Sequence, residues 1–282
     1  MEEHYLEKLG IRTPDNVADK RLVLILGPCV IEDAESTYDM AGKIVKITDE
    51  LEVPFVFKAS YDKANRTSVD SFRGPGVKEG LAILYNIKED FKIPVLSDVH
   101  SVSEIEQASR VLDIIQIPAF LSRQTDLLVE SGRTGKIINI KKGQFMSPWD
   151  MRYAVNKVQS TGNDKVMITE RGTSFGYNNL VVDMRGLHVM SEYAPVIFDA
   201  THSVQRPGGL GGMSDGNREF IPALARAAIA AGAKGLFMEV HTKPEKALSD
   251  GKNMFPIDKL KDFLQEMIDL FEHVGNMKRW DL

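Results

Sequence analysis

Eight short stretches of this chain are almost wholly apolar, and that pattern constrains its fold more than any other feature. They are Leu22–Leu26, Phe55–Phe57, Ile93–Leu96, Ile114–Ile117, Lys136–Ile140, Val166–Thr169, Val196–Phe198 and Gly235–Met238. A strand buried on both faces of a parallel sheet reads this way. Segments of helical periodicity lie between them. Ala34–Leu51 places Met40, Ile44, Ile47 and Leu51 on one face, and Val77–Phe91 does the same with Leu81, Leu84 and Ile87. Ser103–Val111, Thr125–Ser131, Pro148–Ser160, Asn217–Ala231 and Ile257–Val274 follow. The gap from Gly172 to Pro195 is irregular and predicts only a short helix near Gly186–Ser191. Eight strands alternating with helices predict a (β/α)8 (TIM) barrel. The competing arrangement is an open doubly wound sheet. The turn after the first strand, Gly27-Pro28-Cys29-Val30, lacks the Gly-x-Gly-x-x-Gly pattern common in such sheets. Residues 1–20 precede the first strand and are expected to cap the bottom of the barrel, with 21–282 forming one catalytic domain.

Composition narrows the function classes. The net charge of -5 argues against generic binding to nucleic acid or to a membrane surface. Cys29 is the sole cysteine, so no intrachain disulfide forms, as suits a reducing compartment. The start of the chain, Met1 to Lys8, is charged and resembles no secretory leader. The longest aliphatic stretch, Ile221 to Val240, is broken by Arg226, Lys234 and Glu239. It falls short of the ~20 apolar residues of a membrane span. A soluble cytoplasmic protein is expected.

In a (β/α)8 barrel the chemistry sits at the C-terminal ends of the strands. The residues following each run are therefore candidates. Lys58, Ser60, Lys63, Asn65 and Arg66 follow the second strand, and Asp98 and His100 the third. Gln116, Pro118, Ala119, Phe120 and Arg123 follow the fourth; Lys141 and Lys142 the fifth; Glu170 and Arg171 the sixth. Asp199 and His202 follow the seventh, and Glu239, His241 and Asp250 the eighth. Lys58, Lys63, Arg66, Lys141 and Arg171 thus gather at one end of an acidic protein. Any one of them is explained by exposure, or by pairing with Asp62, Asp98 or Glu170. Five together point to a site for phosphates and a carboxylate.

Cys29, His202, Glu239 and Asp250 form a second group. In a closed barrel the eighth strand pairs with the first, so these residues come from neighbouring strands. A thiolate, an imidazole and two carboxylates suit a divalent Zn, Fe, Mn or Co ion. An inert buried thiol and a hydrogen-bonded histidine read equally well from spacing alone. Cys29 as a nucleophile with His202 as its base leaves the cations unexplained. Gly208-Gly209-Leu210-Gly211-Gly212 lacks the Lys-Ser/Thr of a phosphate-binding loop. It reads as a flexible loop, either bland or able to shut over the site.

These residues lie in longer motifs. They include Gly27-Pro28-Cys29-Val30-Ile31-Glu32, the stretch from Phe57 to Ser68, and Phe72-Arg73-Gly74-Pro75-Gly76. Ser97-Asp98-Val99-His100, Gln116 to Leu121, Lys141 to Phe145 and Thr169-Glu170-Arg171-Gly172 follow. Phe198 to Gln205 and Ala247 to Gly251 complete the set. In these motifs the chain resembles the 3-deoxy-D-manno-octulosonate 8-phosphate synthase family over nearly its whole length. The resemblance implies a (β/α)8 barrel, usually a homotetramer. It also implies condensation of phosphoenolpyruvate with D-arabinose 5-phosphate, which releases phosphate and feeds the lipopolysaccharide inner core. Sister enzymes acting on erythrose 4-phosphate carry Lys-Pro-Arg-Thr where this chain has Lys63-Ala64-Asn65-Arg66. The Ala-Asn pair favours the five-carbon aldose; the sister activity and a non-catalytic sugar-phosphate-binding barrel are the alternatives.

The resemblance also assigns roles. Metal-independent members carry Asn in place of Cys29, so this chain resembles the metal-dependent class, with Cys29, His202, Glu239 and Asp250 as ligands. Ser249 and Asn253-Met254 fit that class, whereas Lys252 departs from it. Lys58, Ser60, Lys63, Lys141 and Arg171 would hold phosphoenolpyruvate, with His202 also near its phosphate. Asn65, Arg66 and Thr67 would hold the sugar phosphate; Thr67 replaces a more usual Ser. Asp98, Gln116, Pro118 and Ala119 would line the sugar site, with Phe120 and Arg123 reaching in from a neighbouring subunit. Lys58, Lys63, Lys141, His202 and Asp250 are the expected catalytic residues.

Overall fold

The computed structural model describes residues 21–66, 68–208 and 215–278. The expected N-terminal cap, residues 1–20, lies outside them, as do Thr67 and most of the glycine-rich stretch. Eight parallel strands form the barrel wall: β1 (Val23–Gly27), β2 (Phe55–Lys58), β3 (Val95–Asp98), β4 (Ile114–Ile117), β5 (Ile137–Lys141), β6 (Val166–Glu170), β7 (Val196–Asp199) and β8 (Gly235–His241). They pair in chain order, and β8 closes on β1 with Val23 opposite Gly235 and Gly27 opposite Glu239. Closure settles the choice between barrel and open sheet.

Each apolar run became a strand, but most strands extend past their run at the C-terminal end. Lys58, Asp98, Lys141, Glu170, Asp199 and Glu239 all belong to strands. Sequence apolarity stops at the first polar residue, whereas the backbone ladder continues as long as a neighbour pairs with it. Strand parity explains why these polar residues are tolerated. Val23, Ile25, Val56, Leu96, Ile114, Ile137, Met167, Ile197 and Phe237 fill the lower barrel interior as one buried cluster. Lys58, Asp98, Gln116, Asn139, Thr169, Asp199 and Glu239 stand two residues further along, and Lys141 four, so they point the same way in layers above it. The alternate residues face the helices and form the larger outer core.

The helices are α1 (Ala34–Glu50), α2 (Val77–Phe91), α3 (Val102–Ser109), α4 (Thr125–Arg133), α5 (Met151–Gln159), α6 (Arg185–Ser191), α7 (Ile221–Ala230) and α8 (Leu260–Gly275). The Asp33 carboxylate caps α1 by accepting from the Ser36 N–H at 2.7 Å. Buried Met40, Ala41 and Ile44 then pack this helix inward. Three expected helices begin late. Pro148–Asp150, Arg218–Phe220 and Ile257–Lys259 are 3-10 turns leading into α5, α7 and α8. Such tight turns are common at helix starts, where the first N–H groups have no intrahelical acceptor. The irregular segment after β6 contains α6 as expected. It also holds a small antiparallel pair, Thr173–Ser174 with Leu180–Val181, that the pattern does not reveal. Among the described residues no helix is long and apolar enough to cross a membrane.

Candidate active site

A cavity of about 1010 Å³ opens at the C-terminal ends of the strands. Lys58, Lys63, Arg66, Lys141 and Arg171 all line it, so the barrel brings the five cations together. Of the counter-ions suggested by sequence, Asp98 acts on Lys63 and Lys58, whereas Asp62 and Glu170 pair elsewhere. The Lys58 ammonium donates to Glu239 Oε1 at 2.7 Å and to the Cys29 carbonyl at 2.7 Å. Lys63 stands 3.7 Å from the same Glu239 oxygen. Lys141 pairs with Asp199, and its ammonium lies 3.7 Å from the centre of the Phe237 ring, the top of the apolar interior. Asp62 pairs instead with exposed Arg73, and Glu170 faces the buried Lys142.

Burial and charge compete at each group. Burial opposes the charge on Lys63, but the carboxylates of Glu239, Asp98 and Asp250 oppose that penalty, and its pKa is raised. Burial likewise disfavours the Glu239 and Asp98 carboxylates. His202, Lys58, Lys63 and Lys141 reverse this for Glu239, as Lys63 and Lys58 do for Asp98, and both titrate well below the usual range. The site is a nearly balanced set of buried charges. Desolvation makes each ion dependent on its partners.

Asp199 is the most heavily used acceptor. Its Oδ1 takes the Thr201 hydroxyl at 3.0 Å and the His202 N–H at 2.9 Å. Its Oδ2 lies 2.7 Å from His202 Nδ1 and also accepts from Lys141. The ring is therefore held by Nδ1, and its Nε2 stands 3.4 Å from Glu239 Oε2. That oxygen is buried and takes no hydrogen bond.

Cys29, Glu239 and Asp250 each place a ligand atom within 4.8 Å of the others. Cys29 Sγ is 2.9 Å from Ser249 Oγ and 3.3 Å from Asp250 Oδ2. Burial, together with Glu239 and Asp250, pushes the thiol pKa up. A buried protonated thiol beside two carboxylates is a poor nucleophile. The same donors fit a divalent ion, which would take the thiolate and the orphaned Glu239 oxygen. His202, oriented by Asp199 through its other nitrogen, has the arrangement usual for a ligating histidine.

A second polar chain crosses the barrel. Thr169 Oγ1 donates to Asn139 Oδ1 at 2.7 Å, and Asn139 Nδ2 donates to Gln116 Oε1 at 2.8 Å. Gln116 in turn donates to Asp98, which also accepts from Ser60. This chain sets the orientation of the Asp98 carboxylate and the Gln116 amide.

The sequence profile of the DAHP synthetase I family matches residues 13–276. The chain belongs to this family. A 2-dehydro-3-deoxyphosphooctonate aldolase of Geobacter metallireducens is 58% identical over 247 residues, 87% of this chain and 91% of that protein. The protein of the same name from Geotalea daltonii is 58% identical over 250 residues, 88% and 92% of the two chains. A third, from Trichlorobacter lovleyi, is 57% identical over 262 residues, 93% and 96%.

For this family member, Asn65, Asp98, Gln116, Pro118, Ala119, Phe120, His202, Glu239 and Asp250 share the cavity wall with the five cations. Cys29 and Ser60 lie fully buried behind that wall. Phe120 stands half exposed at the rim. Arg123 lies outside the lining and is exposed. Thr67 lies outside the described residues. Sequence reasoning placed Asp199 among the strand-end candidates without assigning its role, and gave no role to Asn139, Gln144, Gln205 or Arg218, although the last three line the cavity. Asp199 and Asn139 were readable in principle as polar residues at inward parity on otherwise apolar strands. Gln205 and Arg218 carry no such signal.

Proposed function

We propose that this chain condenses phosphoenolpyruvate with D-arabinose 5-phosphate and water to give 3-deoxy-D-manno-octulosonate 8-phosphate and inorganic phosphate. The convergence of five cations on one cavity beside the Cys29, Glu239 and Asp250 cluster carries this reading. Relatives at 57–58% identity bear the name of that product's aldolase, and the Ala64-Asn65 pair points to the same sugar. The reaction is a cytoplasmic one, and its product belongs to lipopolysaccharide synthesis.

Lys58, Lys63, Lys141 and Arg171, with Ser60 behind them, orient the carboxylate and phosphate of phosphoenolpyruvate. Asn65, Arg66 and Thr67 hold the sugar phosphate, and Asp98, Gln116, Pro118 and Ala119 shape the sugar site. C3 of the enol attacks the aldehyde carbon, forming the new C–C bond, and the aldehyde oxygen takes a proton to become a hydroxyl. Water adds at C2 and loses a proton, giving a hemiketal phosphate. The C2–O bond to phosphate then breaks as the C2 hydroxyl gives up its proton, leaving the keto group and a protonated inorganic phosphate. Lys141 and Arg171 stabilise the departing anion, and preorganised charge of this kind lowers the barrier most. His202, held by Asp199, presents Nε2 toward the reacting groups. Cys29, Glu239, Asp250 and His202 would hold a divalent ion, which supplies Lewis acidity toward the aldehyde or the water and offsets the buried carboxylates.

The exposed aromatic residues Phe120, Phe145, Trp149, Phe175 and Tyr177 follow three consecutive strands, β4 to β6. A homotetramer that covers this face would bring Phe120 and Arg123 to a neighbouring sugar site.

The deciding experiment measures phosphate release from phosphoenolpyruvate with arabinose 5-phosphate or erythrose 4-phosphate, with Mn2+ and after chelation. Release with arabinose 5-phosphate, lost on chelation, is expected. Release mainly with erythrose 4-phosphate moves the chain to the sister activity. Full activity after chelation removes the metal reading, and no release with either sugar favours a binding-only barrel.

A further inference from the structure

Gln205 stands between the anion-binding and metal-ligating groups and touches both. Its Oε1 accepts from Arg171 Nη2 at 2.8 Å, and its Nε2 donates to Asp250 Oδ1 at 3.2 Å. Asp250's other oxygen, Oδ2, lies 3.3 Å from Cys29 Sγ and 3.3 Å from Ser249 Oγ. One amide therefore connects a guanidinium buried in the anion pocket to a carboxylate of the metal cluster.

Three observations make this bridge more than a chance contact. Gln205's backbone is pinned in an antiparallel pair with Gly216, so its side chain leaves from a defined point. Arg171 is almost fully buried, and its Nη1 has no hydrogen-bond partner, as suits a donor reserved for a ligand. Its Nη2 is committed to Gln205. Asp250 sits on a loop in the left-handed region, φ 48°, which Asp adopts more readily than most residues, and its carboxylate takes its direction from the groups that hold it. The Gln205 amide is one of the groups holding it.

We infer that Gln205 is a positioning residue that orients Asp250 for the divalent ion, and that Arg171 fixes Gln205 in the orientation required. Occupancy of the anion site and of the metal site are then linked through this amide, because linkage between two sites is reciprocal. The inference rests on the metal reading above and extends it to two residues that are not ligands.

Arg171 is a cation near the cluster. Simple charge repulsion requires that removing it tighten binding of a divalent cation. Positioning through Gln205 requires that removing it weaken that binding. Mn2+ affinity is measured by titration calorimetry and by paramagnetic resonance of free Mn2+, on the metal-stripped full chain without substrate. Wild type, Gln205→Leu, Arg171→Met and the double variant are compared after thermal unfolding confirms that each is folded. Gln205→Leu is expected to weaken Mn2+ by about tenfold or more, the usual range for a residue that orients a ligand. Arg171→Met is expected to weaken it severalfold, and the double variant to bind as Gln205→Leu does. Gln205→Asn, one methylene too short to span both partners, is expected to behave like Gln205→Leu. Arg171→Lys repeats the comparison with the charge kept, should Arg171→Met fail to fold. Tighter binding in Arg171→Met, additive losses in the double variant, or wild-type affinity in Gln205→Leu overturns the proposal. Wild type that binds no Mn2+ at all removes the metal reading itself, an outcome distinct from any change among the variants.

Discussion

At the scale of single residues, the chemistry depends on side chains that hold other side chains. Asp199 anchors His202 Nδ1 and is also the counter-ion of Lys141. Asp199→Asn keeps the shape but weakens both links at once. It is expected to lower kcat by about 10- to 100-fold, with the fold retained, as is common when a ligand's supporting carboxylate is lost. Steady-state kinetics beside circular dichroism checks this. Glu104 plays a structural counterpart. Its Oε2 accepts from Tyr61 Oη at 2.7 Å and from the His100 N–H at 3.0 Å, tying together the loops after β2 and β3. Burial pushes this carboxyl up, but the His100 and Tyr61 hydrogen bonds prevail and bring it from 4.5 down to about 2. A carboxylate whose folded value is depressed stabilises the fold above its unfolded pKa, and that stability drains away as pH falls through the folded value. Wild type should therefore lose stability between pH 4.5 and about 2 in a way that Glu104→Gln does not. Unfolding midpoints measured across that window test the difference.

At the scale of elements, the ends of the strands carry the function, and they are where sequence reading was least sharp. Apolar runs locate all eight strands but stop short of Lys58, Asp98, Lys141, Glu170, Asp199 and Glu239. A run defined by apolarity excludes the very residues that strand parity aims into the cavity. The start of the site also depends on a close approach between β1 and β2. Gly27 has φ 155°, and a β-carbon there would collide with the backbone carbonyl of Lys58. Gly27→Ala is expected to cost at least about 1–3 kcal/mol through backbone strain alone. It should also displace Lys58 from Glu239 and so lower activity. Denaturant unfolding and the phosphate-release assay report the two effects separately. The hairpin after β6 escaped the pattern because two-residue strands are too short to show a period of two.

At the scale of the whole molecule, barrel closure makes the site. Lys58 and Glu239 are 181 residues apart in the chain, and Cys29 and Asp250 are 221 apart. Only the pairing of β8 with β1 brings them together. The outer face after β4 to β6 exposes more large aromatic surface than a solvated wall needs. If that face packs against a second copy, replacing Phe120 and Phe145 together by Asp should shift the assembly to smaller species. Light scattering reads that shift, and KM for the sugar phosphate should rise with it. Unchanged mass would place the interface elsewhere.

The sequence alone determined the eight strands and the helices between them, because each leaves a local pattern that neighbouring residues suffice to set; that the strands close into a barrel rather than an open sheet was decided by the pairing of β8 with β1. The sequence also determined which cations stand at the strand ends, since those follow directly from where each run stops. The tertiary structure alone decided how those charges are paired: Lys58 with Glu239, Lys141 with Asp199, Gln205 between Arg171 and Asp250. Such pairings depend on closure and on side-chain reach across the barrel mouth. Neither is encoded by the residues next to them in the chain.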